Sequence, residues 1–145
     1  MDTQNLYETF LSMEGRLNRL RYFKRLLVVG IAQMALVVFI AILFADMFGN
    51  ISTLGSILMN IIFVAGTAIT YTLDVRRLHD MDKSDLLAKV SAVAMLYIGL
   101  ADIDMFNVTI FDCVVYFALT VIGLYLMFNP GTRGENQYGS DPLER

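Results

Sequence analysis

Asp74-Val75-Arg76-Arg77-Leu78-His79-Asp80-Met81-Asp82-Lys83-Ser84-Asp85 is the polar centre of a very apolar chain. It holds the single histidine of 145 residues, 57% of which are hydrophobic. The run before it, Ile51–Leu73, carries no charge and is long enough for a helix across a hydrocarbon core of about 30 Å. The run after it is shorter: Val90–Ala101 is charge-free, and Leu86–Lys89 lengthens it if Lys89 snorkels to the interface. No Gly or Pro separates the polar stretch from the preceding span, so that helix is expected to run on past the membrane. Arg76 and Asp80 then form an i,i+4 pair, and Asp74 and Arg77 an i,i+3 pair.

Working outward, Leu26–Ala45 is charge-free over twenty residues and reads as the first span. Its late start and length argue against a cleaved signal peptide. Asp46-Met47-Phe48-Gly49-Asn50 is a tight turn, which makes the first two spans an antiparallel hairpin. Beyond the third run, Asp102-Ile103-Asp104 leads to a fourth apolar segment, about Met105–Phe128, stopped by Asn129-Pro130-Gly131. At the front, Leu6, Tyr7, Phe10, Leu11 and Met13 recur at helical spacing among polar residues, the pattern of a short amphipathic helix at the membrane surface. Gly15 is the expected break. The spans predicted are about 26–45, 51–73, 86–101 and 106–128. They define an all-α membrane protein: one domain, a four-helix transmembrane bundle with an N-terminal interfacial helix.

Charge sets the sides. The eleven basic residues are Arg16, Arg19, Arg21, Lys24, Arg25, Arg76, Arg77, Lys83, Lys89, Arg133 and Arg145. With four spans all eleven fall on one side, and the other two connections carry none. The positive-inside rule then puts both termini and the central loop in the cytoplasm. The net charge of −3 gives no reason to expect a nucleic-acid partner, and one cysteine, Cys113, excludes an internal disulfide.

Three segments therefore meet on one face, and each carries a recognisable pattern. Glu14-Gly15-Arg16-Leu17-Asn18-Arg19-Leu20-Arg21-Tyr22-Phe23 resembles the Gly-Arg-x-x-Arg-x-x-Tyr opening of the DUF805 family of small bacterial inner-membrane proteins. Arg76-Arg77-Leu78-His79-Asp80 is similar to the central Arg-Arg-Leu-His-Asp of that family. Gly134-Glu135-Asn136-Gln137-Tyr138-Gly139-Ser140-Asp141-Pro142 resembles its closing motif. The matches come in the family's order and cover the whole chain. After Ser84 the sequence departs: Asp85-Leu86-Leu87 stands where the family commonly has glycine and aromatic residues. The resemblance implies a bacterial inner-membrane, multi-span protein, and marks Tyr22 as a motif position beside Arg16 and Arg19. It implies no reaction, because the family has none established.

Two readings of the basic residues follow. Arg16, Arg19, Arg76 and Arg77 can converge on an anion, such as a lipid headgroup at the inner leaflet, since a guanidinium binds phosphate or carboxylate bidentately. They can instead pair internally with Asp74, Asp80, Asp82, Asp141 or helix C-terminal carbonyls, locking the loop to both ends of the chain. Asn136, Tyr138 and Asp141 suit the second reading, as hydrogen-bonding groups that staple a tail to an arginine-rich loop. His79-Asp80 invites a general-base reading, but adjacent helical residues point about 100° apart, and no matching nucleophile accompanies them. A buried, hydrogen-bonded structural histidine is expected. No metal or cofactor is expected either, because Cys113 falls on the far side of the bilayer. Asp102, Asp104 and Asp112 read as solvated outer acids. Gly55, Gly66 and Gly123 are places for close helix contact. The function expected is that of a non-enzymatic scaffold or accessory protein, presenting the cytoplasmic cluster to a membrane-protein partner, to a second copy or to anionic lipid. A small transporter or channel is the alternative.

Overall fold

A computed structural model describes residues 3–46, 49–100 and 108–143. Five helices account for most of them: α1 (Thr3–Phe10), α2 (Arg19–Phe44), α3 (Thr53–Asp80), α4 (Leu86–Leu100) and α5 (Ile110–Phe128). No strand occurs among the described residues; two isolated bridges, Ala45 with Ile51 and Asn136 with Gly139, close turns.

The local chemistry sets the boundaries. The Asn18 side chain accepts from the Arg21 amide at 2.9 Å and starts α2. Ser52 caps α3 through the Gly55 amide. Thr109 and Asp112 form a reciprocal capping box at the start of α5. The α2–α3 turn is held by Asp46, whose carboxylate accepts from the Asn50 amide at 2.9 Å. Gly49 adopts φ +82° there, a conformation that favours glycine. At the other end of α3, Asp82 takes the left-handed conformation (φ 55°) and turns the chain into α4.

From α2 to α5 each helix packs on the next, and α3 sits at the centre, touching all four others. Three helices, α2, α3 and α5, are long and apolar enough to cross a membrane. The first and second predicted spans fall in longer helices except at the turn between them, where Ala45, Ile51 and Ser52 lie outside α2 and α3. α2 begins seven residues before Leu26, because Asn18 supplies the cap and the basic segment continues the helix. α3 runs from Thr53 through the polar stretch to Asp80. The third predicted span, 86–101, corresponds to an α4 of 15 residues, about 22 Å long and shorter than a hydrocarbon core. Residues 101–107 lie outside the described residues, so the start of the fourth predicted span at 106, and the expected outer Asp102 and Asp104, do too; α5 itself starts at Ile110.

Burial is inverted relative to a water-soluble domain. Large apolar side chains point outward along α2 and α5: Ile42 is 75% exposed, Phe117 71% and Met34 65%. The interior instead holds Arg16, Thr67, Thr70, Thr72, Asp74, Arg77, Asp80 and Ser91. An exterior of this kind is stable where lipid replaces water, and each interior polar group there requires a protein partner. The main buried apolar cluster, including Leu17, Tyr22, Leu73, Leu78, Ala88 and Leu126, lies at the end where α2 starts and α3 stops.

Close helix contact falls at Gly66, where a Cβ would collide with the Gln33 side chain of α2. Gly55 is similarly crowded by Ile51 and Phe44. Gly123 is a correction: nothing approaches it, so it mediates no helix contact in this fold. Gly99 takes that part instead, facing the Phe63 ring across the α3–α4 seam.

Candidate functional site

The site is built where three segments meet: residues 14–18 ahead of α2, the last turn of α3, and the tail after α5. Arg77 stands in the last turn of α3 with no solvent exposure at all. Its guanidinium is fully engaged. Nε donates to the Leu126 carbonyl at 2.8 Å, Nη1 to the Leu17 carbonyl at 3.4 Å and to Asp80 Oδ2, and Nη2 to the Asn129 carbonyl. Two of these acceptors lie at the C-terminus of α5, where unpaired carbonyls and the helix dipole both favour a cation.

Arg16 approaches the same carboxylate from the other side. Nη2 and Nε reach Asp80 Oδ1 at 3.3 and 3.4 Å. Nη2 also donates to the Thr132 carbonyl at 2.5 Å, and Nη1 to the Gly134 and Gly139 carbonyls at 2.6 and 3.2 Å. One carboxylate thus joins two guanidiniums, and backbone carbonyls satisfy the remaining donors. The tail closes over the cluster: Thr132 donates its amide to the Asp80 carbonyl at 2.8 Å, and Gly131 lies so close to the Asp80 carboxylate that a Cβ there would overlap it. Gly15 turns the chain into Arg16 with φ +77°.

The tail is stapled by two further residues. The Asn136 amide donates to the His79 carbonyl and to Thr132 Oγ1, both at 2.9 Å. The Tyr138 ring stacks on His79, with centroids 3.8 Å apart and planes within 6°. Asp141 works within the tail, accepting from the Leu143 amide at 2.9 Å and the Gly134 amide at 3.1 Å. The Leu143 amide, with those of Gly134 and the charge of Arg16 behind it, holds the Asp141 carboxyl below the usual carboxylate range.

A second buried carboxylate lies below the clasp. Asp74 accepts from the Tyr22 hydroxyl at 2.8 Å and from Ser91 Oγ at 3.3 Å, tying α2, α3 and α4 together. No ion pair among the described residues includes Asp74.

Set against the sequence expectations, Arg16, Arg77, Asp80, Asn136 and Tyr138 come together, and Tyr22 stands one layer away. Other expected pairings fail. Arg77 takes Asp80 and not Asp74. Arg76 points to the opposite side of α3, donating to the Glu8 and Thr9 carbonyls at 2.8 and 3.3 Å, so the i,i+4 pair with Asp80 is not formed. The physical reason is the 100° rotation per residue: with Arg77 turned toward α5, Arg76 must face α1. Arg19 is exposed and reaches only the Phe128 carbonyl at 3.4 Å, so it stands beside the cluster. Asp82 and Asp141 form no ion pair among the described residues. His79 is half-buried where a buried histidine was expected; its ring stacks on Tyr138 and hydrogen-bonds the Gly15 backbone, while its Nδ1 has no partner. Asp112 is also not a solvated acid; it is buried, caps α5 and accepts from Tyr97 at 2.8 Å. Sequence reasoning passed over Gly131, Thr132 and Ser91. The Asn-Pro-Gly helix stop contained the signal for Gly131, but not that Asp80 would fill the space.

The arrangement ties chain ends together; its two arginines and one aspartate are spent on one another and on carbonyls. Comparison with curated proteins and with solved structures found no match. A family model described as "Protein of unknown function (DUF805)" matches residues 10–140, which reaches from the end of α1 into the closing motif and takes in Arg16, Arg77, Asp80, Asn136 and Tyr138. The chain belongs to the DUF805 family.

Proposed function

We propose that this chain is a bacterial inner-membrane protein with four spans, both termini and the α3–α4 loop in the cytoplasm. It acts there without catalysis, as a scaffold or accessory protein that offers its clasped end to a membrane-protein partner, a second copy or anionic lipid. The observation that carries the reading is the state of the clasp: Arg16 and Arg77 have their donors committed to Asp80 and to backbone carbonyls. A site built this way rigidifies a surface more readily than it turns over a substrate. The topology draws support from the sequence: ten of the eleven basic residues stand on segments at the clasped end, and Arg145 lies outside the described residues. α4 crosses as the short third span, with Lys89 in its first turn reaching the interface and pairing with Asp85 at 2.9 Å.

Two experiments test the reading. Single cysteines at Ser84 and Ser140, in a Cys113→Ser background, label only from the cytoplasmic face; labelling of either from the outside overturns the topology. Purified from its own membrane in mild detergent, the protein carries a stoichiometric protein or lipid. A bare monomer overturns the accessory role.

The alternative, a small ion or solute transporter, is favoured by one observation: the buried Asp74 carboxylate without an ion-pair partner, since an ionisable group of this kind inside a bundle often marks a pathway. Flux in proteoliposomes that Asp74→Asn abolishes would establish it; unchanged flux would remove it.

A further inference from the structure

Arg25 and Arg76, both half-buried, differ from the other arginines among the described residues. Arg25 Nη1 and Arg76 Nε are both buried from solvent and have no hydrogen-bond partner. The charges acting on Arg25 are those of Arg76 and Arg21, cations all three, and none of these residues joins an ion pair among the described residues. The hydrogen bonds of Arg76 leave from Nη1 toward the end of α1. Its Nε side, the edge that grips a phosphate or carboxylate, is left unused.

Neither arginine lines the apolar groove between α1, α2 and α3, but each stands at helical spacing from residues that do. Arg25 precedes Val28 and Val29 by three and four residues on α2, and Arg76 follows Ile69 by two turns on α3, so each shares a helical face with groove residues. The groove runs down the α2–α3 seam past Ala32 and Ile62, and Leu6 of α1 closes its upper part. Its volume is about 510 Å³, within the range of sites that hold one small ligand. α1 is fixed over it by Arg76 and by Thr72, whose hydroxyl donates to the Phe10 carbonyl at 2.5 Å.

We propose that Arg25 and Arg76 hold the phosphate of one anionic phospholipid whose acyl chain lies in the groove between α1, α2 and α3. The groove's occupant is fixed by complementarity: unpaired cations at the level of the headgroups, and an apolar trough leading from them along the length of a span. A soluble phosphate compound would satisfy the arginines and leave the trough empty. The proposal deepens the lipid branch of the function proposed above and rests on the membrane-spanning reading.

The test uses the full chain in mild detergent, with mixed micelles of palmitoyl-oleoyl phosphatidylglycerol and the phosphatidylcholine of the same chains, read by native mass spectrometry. One phosphatidylglycerol per chain is expected, with about tenfold preference over phosphatidylcholine. Arg25→Gln abolishes the preference; Arg25 Nη1 has no partner to lose, so this variant is read even if Arg76→Gln proves poorly folded. Ala32→Phe fills the trough and lowers uptake of both lipids. Arg133→Gln, an exposed tail arginine, leaves the preference intact. An Arg25→Gln variant with wild-type preference overturns the site, as does an equal loss in Arg133→Gln, which would mean diffuse attraction. Displacement of the lipid by excess glycerol 1-phosphate overturns the acyl-chain half of the proposal. Alkaline carbonate treatment of membranes separates the failures: release of the protein sinks the spanning reading itself, whereas a carbonate-resistant protein without lipid preference sinks this site alone.

Discussion

Arg76 and Arg77 are neighbours in sequence and face opposite ways in the fold. Arg77 looks inward, loses all contact with solvent and finds four acceptors on three segments. Arg76 looks toward α1, keeps part of its surface open and leaves Nε unmatched. The same side chain thus forms a closed clasp on one face of α3 and the rim of an open groove on the other. The difference teaches what decides the use of a basic residue near a membrane. Where a carboxylate and helix C-terminal carbonyls surround it, the cation is consumed in holding the fold. Where carbonyls take only part of its donors and no carboxylate pairs with it, its charge is not neutralised.

The largest expected effect breaks the closed side. Arg77→Ala leaves Asp80 with a single distant guanidinium and frees the end of α5. Removing one partner of a buried ion pair costs about 3–5 kcal/mol, read as a drop in thermal or denaturant stability in detergent. A loss as small as that of Arg76→Ala would erase the contrast between the two faces. Next is Gly131→Ala, which adds a methyl group where the Asp80 carboxylate lies. Overpacking of this kind costs about 1–3 kcal/mol, and protease cleavage in residues 132–143 should accelerate as the tail lifts. Unchanged protection of the tail would mean that Asp80 yields without opening the clasp.

On the open side, Arg76→Ala removes hydrogen bonds from the end of α1 but buries no unpaired carboxylate. A smaller cost, about 0.5–1.5 kcal/mol, is expected, with faster amide exchange confined to residues 3–10. Exchange spreading into residues 132–143 would show that the two faces are coupled. The smallest effect lies at the edge of the clasp. Asp141 has its pKa depressed in the folded chain by the Leu143 and Gly134 amides. Its contribution is therefore present above the unfolded value of about 3.9 and is lost as pH falls through the lower folded value. Asp141→Asn should lower tail protection slightly at neutral pH and flatten that part of the acid-side decline, leaving protection at the acid end nearly unchanged. An identical acid profile in the variant would assign the decline to another group.

Much of this architecture is legible along the chain. Charge-free runs of spanning length announce α2, α3 and α5, because a backbone in lipid must satisfy its own hydrogen bonds within a helix. The family motifs at residues 14–23, 76–80 and 134–142 mark the three segments of the clasp. The pairing inside the clasp is not legible. Asp74 and Arg77, Arg76 and Asp80, and Arg77 and Asp80 are all three or four residues apart on one helix, so spacing treats them as equals. The choice among them is made by what surrounds α3. Leu126 and Asn129 offer carbonyls on the side of Arg77, Tyr22 and Ser91 offer hydroxyls on the side of Asp74, and α1 offers carbonyls on the side of Arg76. Gly131 carries the same lesson from the tail. In sequence it is a helix stop, and only the return of the chain over Asp80 makes its missing side chain a requirement.

The sequence by itself determined the helices, their order, the one-sided distribution of basic residues and the family, because hydropathy, charge and motif are properties of the chain in one dimension. The tertiary structure alone decided that Arg77 is a fastener, that Arg76 and Arg25 each keep one buried nitrogen without a partner, and that Asp74 is held by hydroxyls. Those outcomes depend on which faces of α1, α2, α4 and α5 turn toward α3, and a buried polar group is governed by the partners that packing brings within hydrogen-bond reach.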